Sequence, residues 1–329
     1  MSGAPVAGLS VSTFNAYLEA RGSKGRAASV QRIGGGASRE TWLIRLEQPV
    51  EELPPEIVVR KDTAFEGVIP TPLEREFTVM RALSEHGVPV ARPFWFEGDT
   101  SWFGAKFYVR QGFDGTSDQR RFSGETAARL STELARALAT LHRLEPQAIP
   151  LGDRDVPASV EEAALAEVER WYRHWCDHTI EPAPMLEEVT WWLRRSHPAT
   201  DEDVVVVWGD VGVANTVCSE DGRVLAMSDW ELASYGDPMR DLASALWRGV
   251  GLLAGREHFL QAYAAAGGRR IDTERIAYYD VFMNWQVAIF SHLSKTTPEA
   301  EGTHNLHPNL LSIWAHRINL HKAGRQIGV

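Results

Sequence analysis

The spacing of hydrophobic positions changes character along the chain. Short β-branched or aromatic runs dominate up to about residue 112, and helical stripes dominate beyond it. Residues 10–22 read as a short amphipathic helix. Val30 to Leu46 reads as two strands around a glycine-rich turn, Gly34-Gly35-Gly36-Ala37-Ser38. Glu56-Ile57-Val58-Val59-Arg60-Lys61 is a third strand, ending in cations, and Phe103 to Val109 is another. Between these two, Pro72 opens a helix to about His86, with Leu73, Phe77, Met80 and Leu83 as its apolar stripe. Further on, helix 126–142 carries Leu130, Leu134, Leu138 and Leu141. Residues 143–203 read as a helical insertion linked by proline-rich turns, and helices are expected over 240–267 and 273–294. One β-rich interlude interrupts this half. Val204 to Val207 is a buried strand, and Asp221-Gly222 centres a hairpin between 216–218 and 223–227. The pattern is α+β, with a mainly antiparallel sheet plus helix first and a mainly helical part second.

A hairpin brings its two ends together. Asp210 and Asn215 lie just before this one and Asp229 just after it. Two carboxylates and a carboxamide near strand ends suit a general base plus ligands for a hard cation. Glu76 precedes Met80 by four residues and Leu83 by seven, so it points partly toward the buried face of its helix. A carboxylate there wants a cation, and Arg60 is the one to pair with it. Strand alternation sends Arg60 and Lys61 to opposite faces, so only one of them points inward. The 34–38 turn would let backbone N–H groups approach a phosphate.

Trp208-Gly209-Asp210, then Asn215, then Asp229-Trp230-Glu231-Leu232-Ala233, Gly236-Asp237-Pro238 and Asp241-Leu242-Ala243 together resemble the aminoglycoside phosphotransferase-like family. These are small-molecule kinases related to choline kinases, with a protein-kinase-like fold. Their pattern is His-Gly-Asp, four residues, Asn, then Asp-Trp or Asp-Phe; here Trp208 replaces the His. The resemblance implies a two-lobed fold, with a nucleotide-binding lobe over 1–112 and a catalytic and substrate lobe over 113–329. It implies that Asp210 accepts the proton of an acceptor hydroxyl and that Asn215 and Asp229 hold Mg²⁺. ATP phosphates would be covered by Gly34, Gly35, Gly36, Ala37 and Ser38 and contacted by Arg60, itself held by Glu76. Usually the strand cation is Lys; here Arg60 occupies that position and Lys61 follows, leaving open which touches phosphate. Gln111 falls where the hinge backbone would hold adenine. Asp241 would hydrogen-bond the catalytic-loop backbone, while Asp237, followed by Pro238, suits a helix N-terminus. His142 closes its helix as a structural residue.

Composition narrows the rest. With 44% hydrophobic and 24% charged residues, the chain is an ordinary soluble globular sequence. A formal net charge of −10 argues against nucleic-acid or anionic-membrane partners. Cys176 and Cys218 have neither metal-ligand spacing nor a disulfide framework, and no signal peptide or spanning segment is evident, so a cytoplasmic location is expected. His304 and His307 flank Asn305 and sit beside Pro308, which suggests a loop with incidental histidines rather than a metal site. Oligomeric state stays open.

The resemblance implies a hydroxylated small molecule as the acceptor. A polycationic antibiotic would need clustered acids, yet residues 281–329 hold only Glu299 and Glu301, while Trp285, Phe290 and Trp314 dominate. That composition favours a neutral, aromatic or acidic acceptor. Trp208 and Arg60 also resemble a subgroup related to kinase domains acting on 4-hydroxyacyl-CoA thioesters. The acidic insertion, with Glu162 and Glu169, keeps an aminoglycoside phosphotransferase as the alternative. A catalytically silent nucleotide-binding module is the other; a protein kinase is disfavoured by the absence of an Ala-Pro-Glu segment after Asp229.

Overall fold

The computed structural model describes residues 8–33, 39–47, 53–62, 71–152, 154–179, 182–296 and 306–329, without the side chains of 294–296 and 306–314. The 34–38 turn, His304 and the side chains of His307 and Trp314 therefore lie outside the described residues. The chain divides into two compact units. The first comprises Met1–Gln119 and Ala214–Glu231; the second comprises Arg120–Val213 and Leu232–Val329.

The first unit is built on a five-stranded antiparallel sheet of order β1-β2-β3-β5-β4, where β1 is Ala27–Ile33, β2 Arg39–Leu46, β3 Glu56–Asp62, β4 Pro93–Glu97 and β5 Phe107–Gln111. Helix α1 (Val11–Ala20) starts at Ser10, whose hydroxyl accepts from the Thr13 amide at 3.3 Å. Its Phe14, Tyr17 and Leu18 share a buried cluster with Ile57, Val59, Phe107 and Val109. Strand β3 is buried from Ile57 through Arg60. Ile57 and Val59 join the α1 cluster, so alternation gives Val58 and Arg60 to the other face. Helix α2 (Leu73–Glu85) supplies Glu76 there. The strand expected over 103–109 runs instead over 107–111, because Phe103 belongs to the turn packed on α1. Strand β4 is half-buried at every position, which erases the alternation that would announce it.

The expected hairpin forms, as strands Thr216–Cys218 and Val224–Met227 with Thr216 opposite Met227. The Met227 amide donates to the Pro89 carbonyl at 2.6 Å, and Cys218 exchanges backbone bonds with Thr116. These contacts tie the hairpin into the first unit.

The second unit is mainly helical. It holds α3 (Gly124–Leu141), α4 (Val160–His178), α5 (Pro184–Leu193), α6 (Pro238–Trp247), α7 (Gly251–Ala254), α8 (Arg256–Ala265), α9 (Thr273–Thr296) and α10 (Leu306–Ile327). The single helix expected over 240–267 is three helices. Gly249 at φ +86° and Gly255 at φ +97° break it. Val205–Val207 finds an antiparallel partner that the pattern does not announce, the three-residue strand Ser234–Gly236. The tail is corrected too: from residue 306 it is the helix α10, which runs against α9 and α5. Pro308 is tolerated because the N–H it lacks falls in the first turn, where no intrahelical acceptor exists. Trp285 is not an acceptor wall either. It is fully buried, and its indole N–H donates to Thr190 Oγ1 at 2.9 Å. No helix among the described residues is long and apolar enough to cross a membrane.

Three acids of the insertion are engaged by arginines or backbone amides. Glu169 pairs with Arg194 at 2.6 Å, and Glu162 accepts from the Ala158 amide at 2.7 Å. Buried Glu167 meets Arg170 at 2.8 Å, Arg154 at 3.2 Å and Arg240 at 3.3 Å. Burial alone would raise the Glu167 carboxyl, but Arg170, Arg240 and Arg154 hold it far below the ordinary 4.5. A depressed folded pKa gives stability that is present above the unfolded value and lost as pH falls. Glu167→Gln should therefore lower the thermal midpoint at pH 7, and the gap to wild type should narrow below about pH 4.5. Thermal melts across pH check this; a gap that widens toward acid would contradict it.

Candidate functional site

The first unit gathers five charged side chains. Arg39 opens β2, Arg60 nears the end of β3, Glu76 lies in the first turn of α2, and Asp229 and Glu231 follow the hairpin. Arg39 Nη1 donates to Glu76 Oε2 at 2.6 Å, and its Nη2 donates to the Thr71 carbonyl. Arg60 Nε lies 3.3 Å from the same Glu76 oxygen, while Arg60 Nη2 donates to Asp229 Oδ1 at 2.9 Å. The Tyr108 hydroxyl donates to Glu76 Oε1 at 3.0 Å. Burial alone would raise the Glu76 carboxyl, yet Arg60, Arg39 and the Tyr108 hydroxyl hold it below the usual range. Glu76 is thus a fixed anion that orients two guanidiniums.

Lys61 takes the opposite face, with Nζ 3.0 Å from Glu40 Oε2 and 3.3 Å from the Phe103 carbonyl. Arg60 is therefore the inward cation. Glu231 lies 3.5 Å from Arg39 Nη1. Burial, then the charges of Asp229 and Glu76, push its carboxyl up to about 8 against the pull of Arg60 and Arg39. Four carboxylates thus share two guanidiniums, since Asp62 Oδ1 also lies 3.2 Å from Arg39 Nε, and Glu231 is the one whose carboxyl is pushed up.

Asp229 has φ +63°, the sole positive φ outside glycine among the described residues. Asp tolerates the left-handed region better than most side chains, but the conformation still costs about 1 kcal/mol or more. Asn215 stands across the open end of the hairpin, where its carbonyl accepts from both the amide and the hydroxyl of Ser228 at 2.9 Å. Gln111 ends β5. Its amide donates to the Arg92 carbonyl at 2.8 Å, and its own carbonyl accepts from Arg110 Nη1 at 3.1 Å.

In the second unit Asp210 follows Val205–Val207. Asp241, fully buried in the first turn of α6, accepts from the Trp208 amide at 2.8 Å and from the Gly209 amide at 2.7 Å. His142 Nε2 lies 3.1 Å from Asp241 Oδ2, and its Nδ1 2.8 Å from the Tyr263 hydroxyl. Gly209 is required: its φ is +84°, and a Cβ there would stand 2.6 Å from the Leu232 carbonyl oxygen. Trp208 fills the place of the family His as a fully buried side chain. Asp237 caps α6 through the Met239 amide at 2.8 Å and pairs with Arg275 at 3.1 Å.

Asp210 itself meets a residue that the motif does not announce. Arg248, just past α6, donates from Nε to Asp210 Oδ1 at 2.6 Å, and its Nη2 is in ion-pair contact with the same oxygen. Sequence reasoning missed Arg248, Arg39 and Glu231. Glu231 at least sits inside the quoted motif; the arginines carry no spacing signal.

The donor chemistry fits a hard divalent cation. A carboxylate from Asp229 and a carboxamide from Asn215 would offer oxygen ligands to such a cation. No cluster of three or more His, Cys, Asp or Glu with metal-holding geometry occurs among the described residues, so a cage made of protein alone is not what they provide. Cys218 is no nucleophile, since burial pushes its thiol up to about 12.

An antiparallel five-stranded unit carrying an Arg–Glu pair, joined in one chain to a helical unit carrying the Gly-Asp loop, defines a kinase-like phosphotransferase fold. The model of the family described as "Phosphotransferase enzyme family" matches residues 29–279, and the chain belongs to that family. A putative aminoglycoside phosphotransferase from Ralstonia eutropha superposes with a TM-score of 0.70 at 23% identity, covering 96% of this chain and 97% of that one. A choline/ethanolamine kinase family protein from Mesorhizobium loti superposes at 0.64 with 14% identity, covering 92% and 89%. Among curated proteins, mouse acyl-CoA dehydrogenase family member 11 is 28% identical over 240 residues, 70% of this chain but 29% of the relative. The chain thus spans under a third of that relative's length.

Proposed function

We propose that this protein transfers the γ-phosphate of ATP, with Mg²⁺, to a hydroxyl of a small neutral or acidic molecule of the hydroxyacyl-CoA type. The observation that carries the reading is Asp229, held at positive φ with its carboxylate on Arg60 and Arg60 in turn on Glu76. Backbone strain at a charged side chain is what a ligand-holding position shows.

In this reading, residues 1–112 are the nucleotide-binding lobe and 113–329 the catalytic and substrate lobe. Arg60, steered by Glu76, offsets phosphate charge, and the 34–38 turn approaches the phosphates. The Gln111 carbonyl accepts from the adenine. Asn215 and Asp229 would hold the metal, which when bound neutralises the phosphate oxygens. Asp210 accepts the proton as the acceptor oxygen bonds to the γ-phosphorus and the β–γ bridging P–O bond breaks, leaving ADP. Asp241 fixes the backbone that carries Asp210. Cys176 and Cys218 are both free, which suits a reducing, cytoplasmic location.

Two features support the acceptor class. The name of the mouse relative refers to acyl-CoA chemistry. The insertion acids Glu167 and Glu169 are already paired with arginines, which removes them as ammonium ligands. An antibiotic phosphotransferase is the second reading, favoured by the fold shared with the Ralstonia protein. An ADP-release screen over hydroxyacyl-CoA thioesters, hydroxy acids and kanamycin decides. We expect turnover of the first classes and a kcat/KM for kanamycin below about 10⁴ M⁻¹s⁻¹, the lower end of ordinary efficiency. A higher value would establish the antibiotic reading. Mg-ATP binding without turnover of any acceptor would mark a silent module.

A further inference from the structure

Arg248 is paired with the proposed base without being spent by it. Its contacts with Asp210 use Nε and Nη2. Arg248 Nη1 has no hydrogen-bond partner among the described residues. The side chains of Arg248 and Asp210 remain 30% and 17% exposed, so the pair is accessible. The arginine stem is seated by design of the loop: a Cβ on Gly212 would stand 2.9 Å from Arg248 Cδ. Only glycine at 212 leaves that path to Asp210 open.

The electrostatics then discriminate among acceptors. One carboxylate is matched by one guanidinium, so Asp210 offers no net negative charge to an ammonium group. The remaining guanidinium donor favours an acceptor oxygen and opposes a cation. A hydroxyl delivered to Asp210 brings its neighbouring groups close to Arg248.

We propose that Arg248 is a positioning and specificity residue: it orients the Asp210 carboxylate through Nε and Nη2 and donates from Nη1 to a carbonyl or carboxylate oxygen near the reacting hydroxyl of the acceptor. The proposal rests on the phosphotransferase reading above and narrows its acceptor to hydroxy compounds that carry such an oxygen.

Two probes test it: 4-hydroxybutyryl-CoA, and S-(4-hydroxybutyl)-CoA, in which a methylene replaces the thioester carbonyl. Wild type should prefer the thioester by about 10- to 100-fold in kcat/KM, the span of one hydrogen bond from a charged donor. Arg248→Ala should lower kcat for both and collapse that preference to near unity, with the KM for the thioester rising. Arg248→Lys should keep an intermediate preference, since it retains charge but loses the fork. Mg-ATP affinity should not change in either variant. If Arg248→Ala does not fold, Gly212→Ala displaces the stem without removing the charge and should erode the preference in the same direction. A merely structural arginine would instead lower both probes by one factor, leaving the ratio intact, and that result overturns the assignment. Wild-type turnover with no preference also overturns it while leaving the phosphotransferase reading standing. Wild type turning over neither these probes nor any other hydroxylated acceptor takes both down.

Discussion

Asp210→Asn should lower turnover by roughly 10²–10⁴-fold, the usual span for a general base, and should leave Mg-ATP affinity nearly unchanged. The side chain keeps its shape and an oxygen for Arg248, which lies 2.6 Å from Asp210 Oδ1 through Nε. The backbone under it is held from elsewhere, by Asp241 on the amides of Trp208 and Gly209. What the variant would lose is the charge proposed to accept the hydroxyl proton. Steady-state kinetics and calorimetry together check this. Normal residual turnover with lost ATP binding would move Asp210 from the acceptor side to the nucleotide side.

Much of this arrangement is legible in the sequence, and for a physical reason. The Gly-Asp loop, the hairpin and the Asp229 motif lie within a few residues of one another, so local rules place them. Asp221-Gly222 forces a turn, Thr216 pairs with Met227, and Asn215 and Asp229 are left at the open end. Glu76 was legible because a carboxylate on an apolar helix face must find a cation, and Arg60 because alternation leaves one inward residue at the end of β3. Alternation alone does not say which of Arg60 and Lys61 turns inward; that depends on which face of β3 the α1 cluster claims.

Other features are long-range and leave no local trace. Arg39 meets Glu76 across 37 residues and Arg248 meets Asp210 across 38. Neither arginine follows a fixed spacing, and an arginine near an element's end reads like any solvated charge. The strand Ser234–Gly236 is three residues long and contains a glycine, so propensity is silent about it. Helix α10 was hidden by Pro308, which breaks helices except in the first turn. Trp285 misled because an aromatic residue on a helix is equally suited to a pocket wall and a core; its bond to Thr190 settles which it is.

Asp229→Asn should remove the Mg²⁺-dependent part of nucleotide affinity, by about 100-fold, the upper end for one charged partner. Asn is the informative substitution because it tolerates the left-handed φ of +63°. Asp229→Ala would add backbone strain to the loss of charge and mix the two effects. A carboxylate is a stronger ligand than a carboxamide for a hard cation, so Asn215→Ala should be weaker in the same direction. The Arg60 bond makes the test sharper. In wild type, Arg60 Nη2 donates to Asp229 Oδ1 at 2.9 Å, so the carboxylate competes with any phosphate for that guanidinium. Neutralising Asp229 relaxes the competition. ATP in the presence of a chelator should then bind the variant as tightly as wild type or tighter, while added Mg²⁺ should bring little further gain. Calorimetry with and without Mg²⁺ separates the two contributions. An undiminished Mg²⁺ increment in Asp229→Asn would remove this residue from the metal site and leave it as a structural partner of Arg60.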